Sequence, residues 1–253
     1  MLQSRPAQLM KVPYFWSRWA TTRPLPSSIR TAEALAKWGK TQRVIGFNGQ
    51  AIRAFILQNL ARRFECTRFV ETGTSFGHTA GYVNRAFGLP VISCELTAFR
   101  HWVSRLNLAP LPSVRLHQAS SPDFLRRVLP SVAADETPMV YLDAHWYEYL
   151  PLEDELEILA ELCPRAVVAI DDFHIPHRPG FAFDEYPGKR LDVDLIRGPL
   201  ASRRSDVVVM LSDYDPAWEP PAHPTGMAVV LLGIGDDELD ERFPLDLLRR
   251  VQL

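Results

Sequence analysis

The most constraining feature of this sequence is a regular alternation of short apolar runs with longer helical runs between residues 68 and 171. Runs typical of strands are Arg68–Thr72, Val91–Glu95, Val114–Gln118, Pro138–Asp143 and Ala166–Asp171. Segments with helical patterning separate them. Because each strand is followed by a helix, the pattern predicts right-handed βαβ units and a parallel sheet buried on both faces.

The pattern changes after this region. It predicts a loop over Phe173–Arg190, a helix over Leu191–Leu200, and two further strands over Val207–Leu211 and Met227–Leu232. The proline-rich connection between these two strands is too short for a crossover helix, so an antiparallel pair at the sheet edge is expected. The fold class predicted is therefore α/β, with a doubly wound, seven-stranded, mainly parallel sheet.

The residues before the first strand have a different character. Amphipathic helices are predicted over Thr31–Lys40 and Gln50–Arg63, with Asn48 or Gly49 capping the second. We expect residues 1–65 to be an N-terminal arm and helical cap, and residues 66–253 to be the main domain. The first 32 residues contain five basic residues and no acid. That bias fits either a targeting segment or an ordered arm.

Composition narrows the function classes. The 253 residues carry 28 Lys and Arg against 30 Asp and Glu, a net charge of -2, so no nucleic acid partner is expected. No apolar run reaches the roughly 18 residues of a membrane span, so no membrane partner is expected. Three scattered cysteines indicate reduced thiols and a cytoplasmic protein.

Carboxylates end four of the five predicted parallel strands. These residues are Glu71, Glu95, Asp143, and the pair Asp171 and Asp172. In an open parallel sheet, ligands bind beyond the carboxyl ends of the strands, near the point where the strand order reverses. The sequence therefore predicts a ligand site at this edge.

A glycine turn follows the first of these acids, in the segment V-E-T-G-T-S-F-G-H-T over residues 70–79. Gly73 and Gly77 let the backbone approach a ligand closely, and the helix that follows offers free N–H groups. The segment is not the dinucleotide fingerprint GxGxxG. Glu71 would repel a pyrophosphate and suits a cationic group, such as the amine of an amino acid.

The ends of the second and third predicted strands suit the ribose and the adenine of a nucleoside ligand. Glu95 is placed to accept hydrogen bonds from ribose hydroxyls. Gln118–Ser121 either brackets an adenine edge or begins the next helix with Ser121 as its N-cap.

The aspartates form a second group. Asp143 and Asp171 are separated by one helix and one strand, and adjacent strands lie about 4.8 Å apart. Three carboxylates this close repel one another unless a cation lies among them, and Mg²⁺, Mn²⁺ or Ca²⁺ suits such oxygen ligands. An acidic site without metal and a site without function are the alternatives. His145 and His174 are the candidate general bases, because imidazole titrates near neutral pH.

The glycine turn and the acid 24 residues after Glu71 resemble the class I S-adenosylmethionine-dependent methyltransferases, over roughly residues 65–235. The resemblance implies a Rossmann-like methyltransferase domain over residues 66–253. It also implies S-adenosylmethionine as cofactor. By this resemblance Glu71, Gly73, Ser75 and Gly77 line the cofactor and Glu95 holds its ribose. Ser75 stands where the family usually has glycine.

The segments L-D-A-H-W and A-I-D-D-F-H resemble the metal-dependent O-methyltransferases of the catechol, caffeoyl-CoA and macrocin types. The resemblance implies that Asp143, Asp171 and Asp172 hold a divalent metal, with Mg²⁺ expected. Asp143 is also expected to line the cofactor, as are Ala119 and Ser120.

The function expected is metal-assisted O-methylation of a small-molecule hydroxyl group on a natural product, sugar or phenol, by a protein that forms a homodimer. A metal-dependent hydrolase and a nucleotide-binding oxidoreductase are the alternatives.

Overall fold

The computed structural model describes residues 46–144, 149–219, 223–239 and 245–253. Its strands are β1 (Arg68–Thr72), β2 (Val91–Glu95), β3 (Val114–Gln118), β4 (Pro138–Leu142), β5 (Ala166–Ile170), β6 (Glu185–Tyr186), β7 (Lys189–Arg190), β8 (Val207–Ser212), β9 (Ala228–Leu232) and β10 (Leu248–Val251). Its α-helices are α1 (Ala51–Arg63), α2 (His78–Ala86), α3 (Ala98–Leu108), α4 (Ser121–Val128), α5 (Leu152–Leu162) and α6 (Val193–Ala201).

The main sheet has eight strands in the order β10-β8-β9-β5-β4-β1-β2-β3. β1 to β5 are parallel, β9 is antiparallel to both β5 and β8, and β10 is antiparallel to β8. The parallel core and the antiparallel pairing of β8 with β9 confirm the predicted α/β architecture. β6 and β7 form a separate small hairpin.

The predicted number of seven strands is wrong, because β10 adds an eighth. β10 is four residues long and exposes Arg249 and Arg250. Edge strands are often short and charged, which prevents pairing with other chains, and this composition hides them from a search for apolar runs. β10 also displaces the β8 and β9 pair from the sheet edge, where the sequence placed it.

Burial explains why the central strands form. Every residue of β4, β5 and β9 is buried, as parallel strands covered by helices on both faces require. β3 alternates between half-buried and exposed positions for most of its length, since it lies at the opposite edge of the sheet.

Helix α1 is buried nearly all round. Ile52, Ala54, Ile56 and Leu57 are completely inaccessible to solvent, so the predicted amphipathic character is wrong. A helix that is buried on nearly all sides forms part of a core. Residues 46–63 therefore pack as part of the main hydrophobic core, whereas the predicted helix over Thr31–Lys40 lies outside the described residues.

The start of α1 also differs from the prediction. Its N-cap is Gln50, not Asn48 or Gly49, and no side chain of that residue caps the helix. Glu219 does so instead: its carboxylate accepts hydrogen bonds from the backbone N–H groups of Ile52 and Arg53, at 3.1 and 3.0 Å. The hydroxyl of Tyr214 donates to the same carboxylate at 2.9 Å. A distant carboxylate thus satisfies N–H groups that a helix start leaves unpaired.

The division into residues 1–65 and 66–253 stays a prediction. None of the helices in the described ranges combines the length and apolar character of a membrane span.

Candidate active site

Strand register brings the predicted aspartates together. Leu142 at the end of β4 pairs with Ile170 at the end of β5. Asp143 and Asp171 therefore leave the sheet side by side. Single carboxylate oxygens of Asp143, Asp171 and Asp172 all lie within 4.8 Å of one another. The convergence predicted from the sequence is present in the structure.

The negative charge of Asp171 is balanced by an arginine of the protein itself. Its carboxylate forms a fully buried ion pair with the Arg53 guanidinium of α1. The Tyr141 hydroxyl donates to Oδ2 of Asp171. The Thr225 hydroxyl and the backbone N–H of Asp172 donate to Oδ1, at 3.0 and 2.7 Å. Both oxygens of this carboxylate are thus engaged by the protein.

Arg53 is held as tightly as its partner. Its Nη2 donates to the carbonyl and hydroxyl oxygens of Thr225, at 2.7 and 2.9 Å, and to the Gly226 carbonyl at 3.2 Å. Its Nη1 also donates to the Tyr141 hydroxyl at 3.2 Å. Arg53 therefore joins α1 to the end of β5 and to the segment that precedes β9.

The three carboxyl groups differ in their electrostatics. Burial raises the pKa of Asp171, but Arg53, Tyr141 and the Asp172 N–H together bring it below its ordinary value. Burial and the charge of Asp171 raise the pKa of Asp172 to about 7. Burial, Asp171 and Asp172 raise the pKa of Asp143 well above its ordinary value. Asp171 is therefore the group that is ionised throughout the neutral range.

The residues present fit a divalent cation only in part. Mg²⁺ is usually bound by one or two carboxylates together with water and substrate oxygens. Asp143 and Asp172 meet that requirement. Because its oxygens are taken by Arg53 and its neighbours, Asp171 fits the role of a fixed negative charge beside the cation better than that of a ligand.

The glycine turn has the backbone that its sequence predicts. Gly73 and Gly77 both have φ of +83°, in the left-handed region. A Cβ on Gly73 would lie 2.2 Å from the carbonyl oxygen of Asp143, so only glycine fits there. Ser75 has φ of +49°. Ser75 therefore has a left-handed backbone conformation, which glycine adopts without steric cost and other residues rarely adopt.

Glu95 fastens this turn to β2. Its two carboxylate oxygens accept hydrogen bonds from the backbone N–H groups of Ser75 and Thr97, at 2.9 and 2.8 Å. A carboxylate has about four acceptor positions, so two are not used by these N–H groups. Glu95 is only 5% exposed, whereas Leu96 next to it is 66% exposed. The end of β2 thus holds a fixed, nearly buried carboxylate beside an open apolar residue.

Glu71 lies deeper than predicted for a group that meets a ligand amine. It is 1% exposed and accepts a hydrogen bond from the Ser93 hydroxyl at 2.5 Å. Burial raises its pKa to about 8, with a contribution from the charge of Glu95. Glu71 is therefore mostly protonated at neutral pH in the structure described.

The remaining predicted site residues lie in different surroundings. Ala119 is half-buried at the end of β3. Ser120, rather than Ser121, is the N-cap of α4 and accepts a hydrogen bond from the Asp123 N–H. His174 packs edge-on against Phe183 with ring centroids 4.5 Å apart. His145 lies outside the described residues. The catalytic and cofactor roles of these residues stay predictions.

Sequence reasoning missed Arg53, Tyr141 and Thr225, which surround Asp171. One signal was available: Arg53 is a lone charge within the apolar first two turns of α1, where an arginine needs a buried partner. Its partner, 118 residues away, was not visible from the sequence pattern.

The ion pair gives a first prediction. Arg53→Met leaves Asp171 buried without its cation, so the free energy of unfolding should fall by about 3–5 kcal/mol. Adding Asp171→Asn to Arg53→Met should restore part of this loss. Urea unfolding followed by circular dichroism measures both free energies.

Arg203→Met, which breaks an exposed pair with Glu157, is the control and should cost less than about 1 kcal/mol. Equal losses in Arg53→Met and the control would contradict the role given to the pair.

The buried Glu71 gives a second prediction. Because its pKa is raised from 4.5 to about 8, its contribution to stability is complete below 4.5 and is lost as pH rises through about 8. Glu71→Gln removes that titration. The melting temperature of Glu71→Gln relative to the unmodified protein should therefore rise across this range, measured by thermal unfolding at several pH values. Glu161→Gln, at an exposed position of α5, controls for the change of side chain. A difference that stays constant with pH would rule out the buried protonated state.

Comparisons with solved structures identify the fold. An O-methyltransferase from Bacillus cereus in complex with SAH aligns with a TM-score of 0.55 and 16% identity, over 87% of this chain and 97% of that one. A protein from Staphylococcus aureus assigned as a caffeoyl-CoA O-methyltransferase aligns with a TM-score of 0.53 and 15% identity, over 88% and 99%. No family model and no curated protein matches the sequence. The chain therefore has the class I methyltransferase fold that the strand-end residues led us to expect.

Proposed function

We propose that this protein transfers a methyl group from S-adenosylmethionine to a hydroxyl oxygen of a small molecule. The observation that carries the proposal is the convergence of two groups of residues at a single edge of the sheet. Glu95 and the glycine turn lie at the ends of β2 and β1, and the three aspartates follow β4 and β5. The Bacillus cereus relative in fold was solved with SAH, the product form of this cofactor.

The cofactor half is assigned to the glycine turn and Glu95. The free acceptor positions of the Glu95 carboxylate suit the two ribose hydroxyls. Gly73, Ser75 and Gly77 would line the methionine portion, with Ala119 and Ser120 on the adenine side. Glu71 would support the turn through its hydrogen bond from Ser93 instead of contacting the cofactor, because it is only 1% exposed.

The acceptor half is assigned to the aspartates. Asp143 and Asp172 would hold Mg²⁺ or a similar divalent cation, and Asp171 would supply a third negative charge fixed by Arg53. When bound, such a cation acts as a Lewis acid that lowers the pKa of a coordinated hydroxyl. The task of the chain itself is to hold the hydroxyl oxygen in line with the sulfonium methyl group, since methyl transfer depends mainly on positioning.

A histidine would take the proton of the acceptor hydroxyl. His174 is one candidate, because burial and Arg190 lower its pKa and so keep its imidazole neutral and able to accept a proton. His145 is the other. The half-buried aromatic ring of Tyr186, in the β6–β7 hairpin that follows β5, would form part of the acceptor wall. We also propose a cytoplasmic location, which the three buried free cysteines support.

The cofactor assignment is tested by calorimetric titration with S-adenosylhomocysteine. Glu95→Gln keeps the shape of the side chain but loses its charge, so affinity should fall by about tenfold or more, because one hydrogen bond to a charged group contributes about 1.5–3 kcal/mol. Glu161→Gln, at an exposed position of α5, is the matched control and should bind normally. If the unmodified protein does not bind this ligand at all, the methyltransferase proposal is wrong, and the aspartates favour a metal-dependent hydrolase.

The metal assignment is tested by thermal unfolding with Mg²⁺ and then with chelator. Mg²⁺ should raise the melting temperature of the unmodified protein, because a ligand bound only by the folded state stabilises it. Asp143→Asn should abolish that shift and the turnover of a hydroxyl acceptor. It should leave S-adenosylhomocysteine affinity within about threefold, because the part of Asp143 that lies against the glycine turn is its backbone carbonyl, which the substitution keeps. A protein that turns over fully in chelator would contradict the metal role and leave the cofactor assignment intact.

A further inference from the structure

Helix α5 contains a completely buried glutamate, Glu155, that has no part in the proposed site. Leu152, Leu156 and Leu159 of the same helix are also completely buried, so Glu155 occupies a position in the core. Within the described residues, neither of its carboxylate oxygens makes a hydrogen bond of ordinary geometry. An apolar residue of similar size would avoid the cost of burying this group. The presence of a glutamate here therefore indicates a role other than stability.

Two hydroxyl groups lie close to the Glu155 carboxyl group, those of Ser121 at the start of α4 and Thr72 at the end of β1. Burial raises the pKa of Glu155 to about 7, and these two hydroxyls limit the rise. Burial also raises the pKa of the Cys94 thiol, and the charge of Glu155 adds to that effect. Thr72 and Cys94 are neighbours in the sheet register. Glu155 therefore lies beneath the ends of β1 and β2, beside the first residue of α4.

Thr72 lies where the two halves of the proposed site touch. Its carbonyl and hydroxyl oxygens both accept from the Asp143 N–H, at 3.2 and 3.4 Å. The next residue, Gly73, begins the glycine turn, and its N–H donates to the Cys94 carbonyl at 3.0 Å. A Cβ on Gly73 would lie only 2.2 Å from the Asp143 carbonyl oxygen. A shift of Thr72 would therefore move Asp143 and the glycine turn relative to each other.

We propose that Glu155 is a positioning residue that keeps the cofactor half and the aspartate half of the site at a fixed spacing. A protonated carboxyl group can donate to one hydroxyl and accept from another, so Glu155 can tie Thr72 to Ser121. Ser121 directly follows Ser120, which is assigned to the adenine side of the cofactor. The tie thus reaches both ends of the nucleoside-binding edge. This inference rests on the proposed function and adds a residue that touches neither cofactor nor metal.

Glu155→Met separates positioning from a purely structural role. Methionine has a similar volume and no group that needs a hydrogen bond, so the melting temperature should stay unchanged or rise. Affinity for S-adenosylhomocysteine, measured by calorimetric titration, should nevertheless fall by about fivefold or more, within the range produced by residues that act on a site through their neighbours. Glu155→Gln keeps one donor and one acceptor, so it should bind this ligand within about twofold of the unmodified protein.

Thr72→Val tests the same tie from its other end. Valine keeps the shape of threonine and removes the hydroxyl, while the backbone carbonyl of residue 72 still accepts from the Asp143 N–H. This variant should reproduce the loss of S-adenosylhomocysteine affinity. Adding Glu155→Met to Thr72→Val should cause no further loss, because the two side chains act as one unit and their effects are then not additive. Thr72→Val alone decides the question if Glu155→Met does not fold.

Glu161→Met, the same change at an exposed position of α5, is the control and should bind like the unmodified protein. If Glu155→Met or Thr72→Val binds as tightly as this control, the positioning role is wrong. It is also wrong if Glu155→Gln loses as much affinity as Glu155→Met, or if affinity falls only in step with the melting temperature. These outcomes leave the methyltransferase proposal intact. An unmodified protein that does not bind S-adenosylhomocysteine would overturn both.

Discussion

The buried ion pair between Arg53 and Asp171 is the interaction on which the arrangement of this site depends. Asp171 leaves the sheet at the centre of the ligand-binding edge, where an uncompensated charge without solvent would be very costly. Arg53 removes that cost and at the same time fixes α1 against the end of β5. The helix, the strand end and the segment before β9 are therefore held in one arrangement by a single guanidinium group.

This pair also makes the three aspartates different from one another, although the sequence presents them as equivalent. Asp171 is the permanent charge, whereas burial and the charge of Asp171 a few ångströms away raise the pKa values of Asp143 and Asp172. Because metal binding requires deprotonated carboxylates, a cation that binds there must displace the protons that these raised pKa values retain. The division of labour among the carboxylates thus comes from a residue outside the motif that contains them.

The parts of the fold that the sequence predicted well are those that local patterning determines. The bounds of β1, β2 and β3 agree with the apolar runs residue for residue. The strand-end acids converge because parallel strands all end at the same edge. Contacts distant in sequence were not predictable in this way: Glu219 and Arg53 act on partners more than a hundred residues away. β10 was missed for a different reason, because two of its four residues are charged.

Glu219 links the beginning of the described chain to its last part. The hydrogen bonds that start α1 come from a residue 167 positions later, and the carbonyl groups that hold Arg53 belong to residues 225 and 226. During synthesis, α1 leaves the ribosome long before these partners exist. Its apolar surface and its arginine then have no native place to bind. This topology requires that the earliest described helix be completed among the last, because α1 cannot be seated before residues 219–226 have been made.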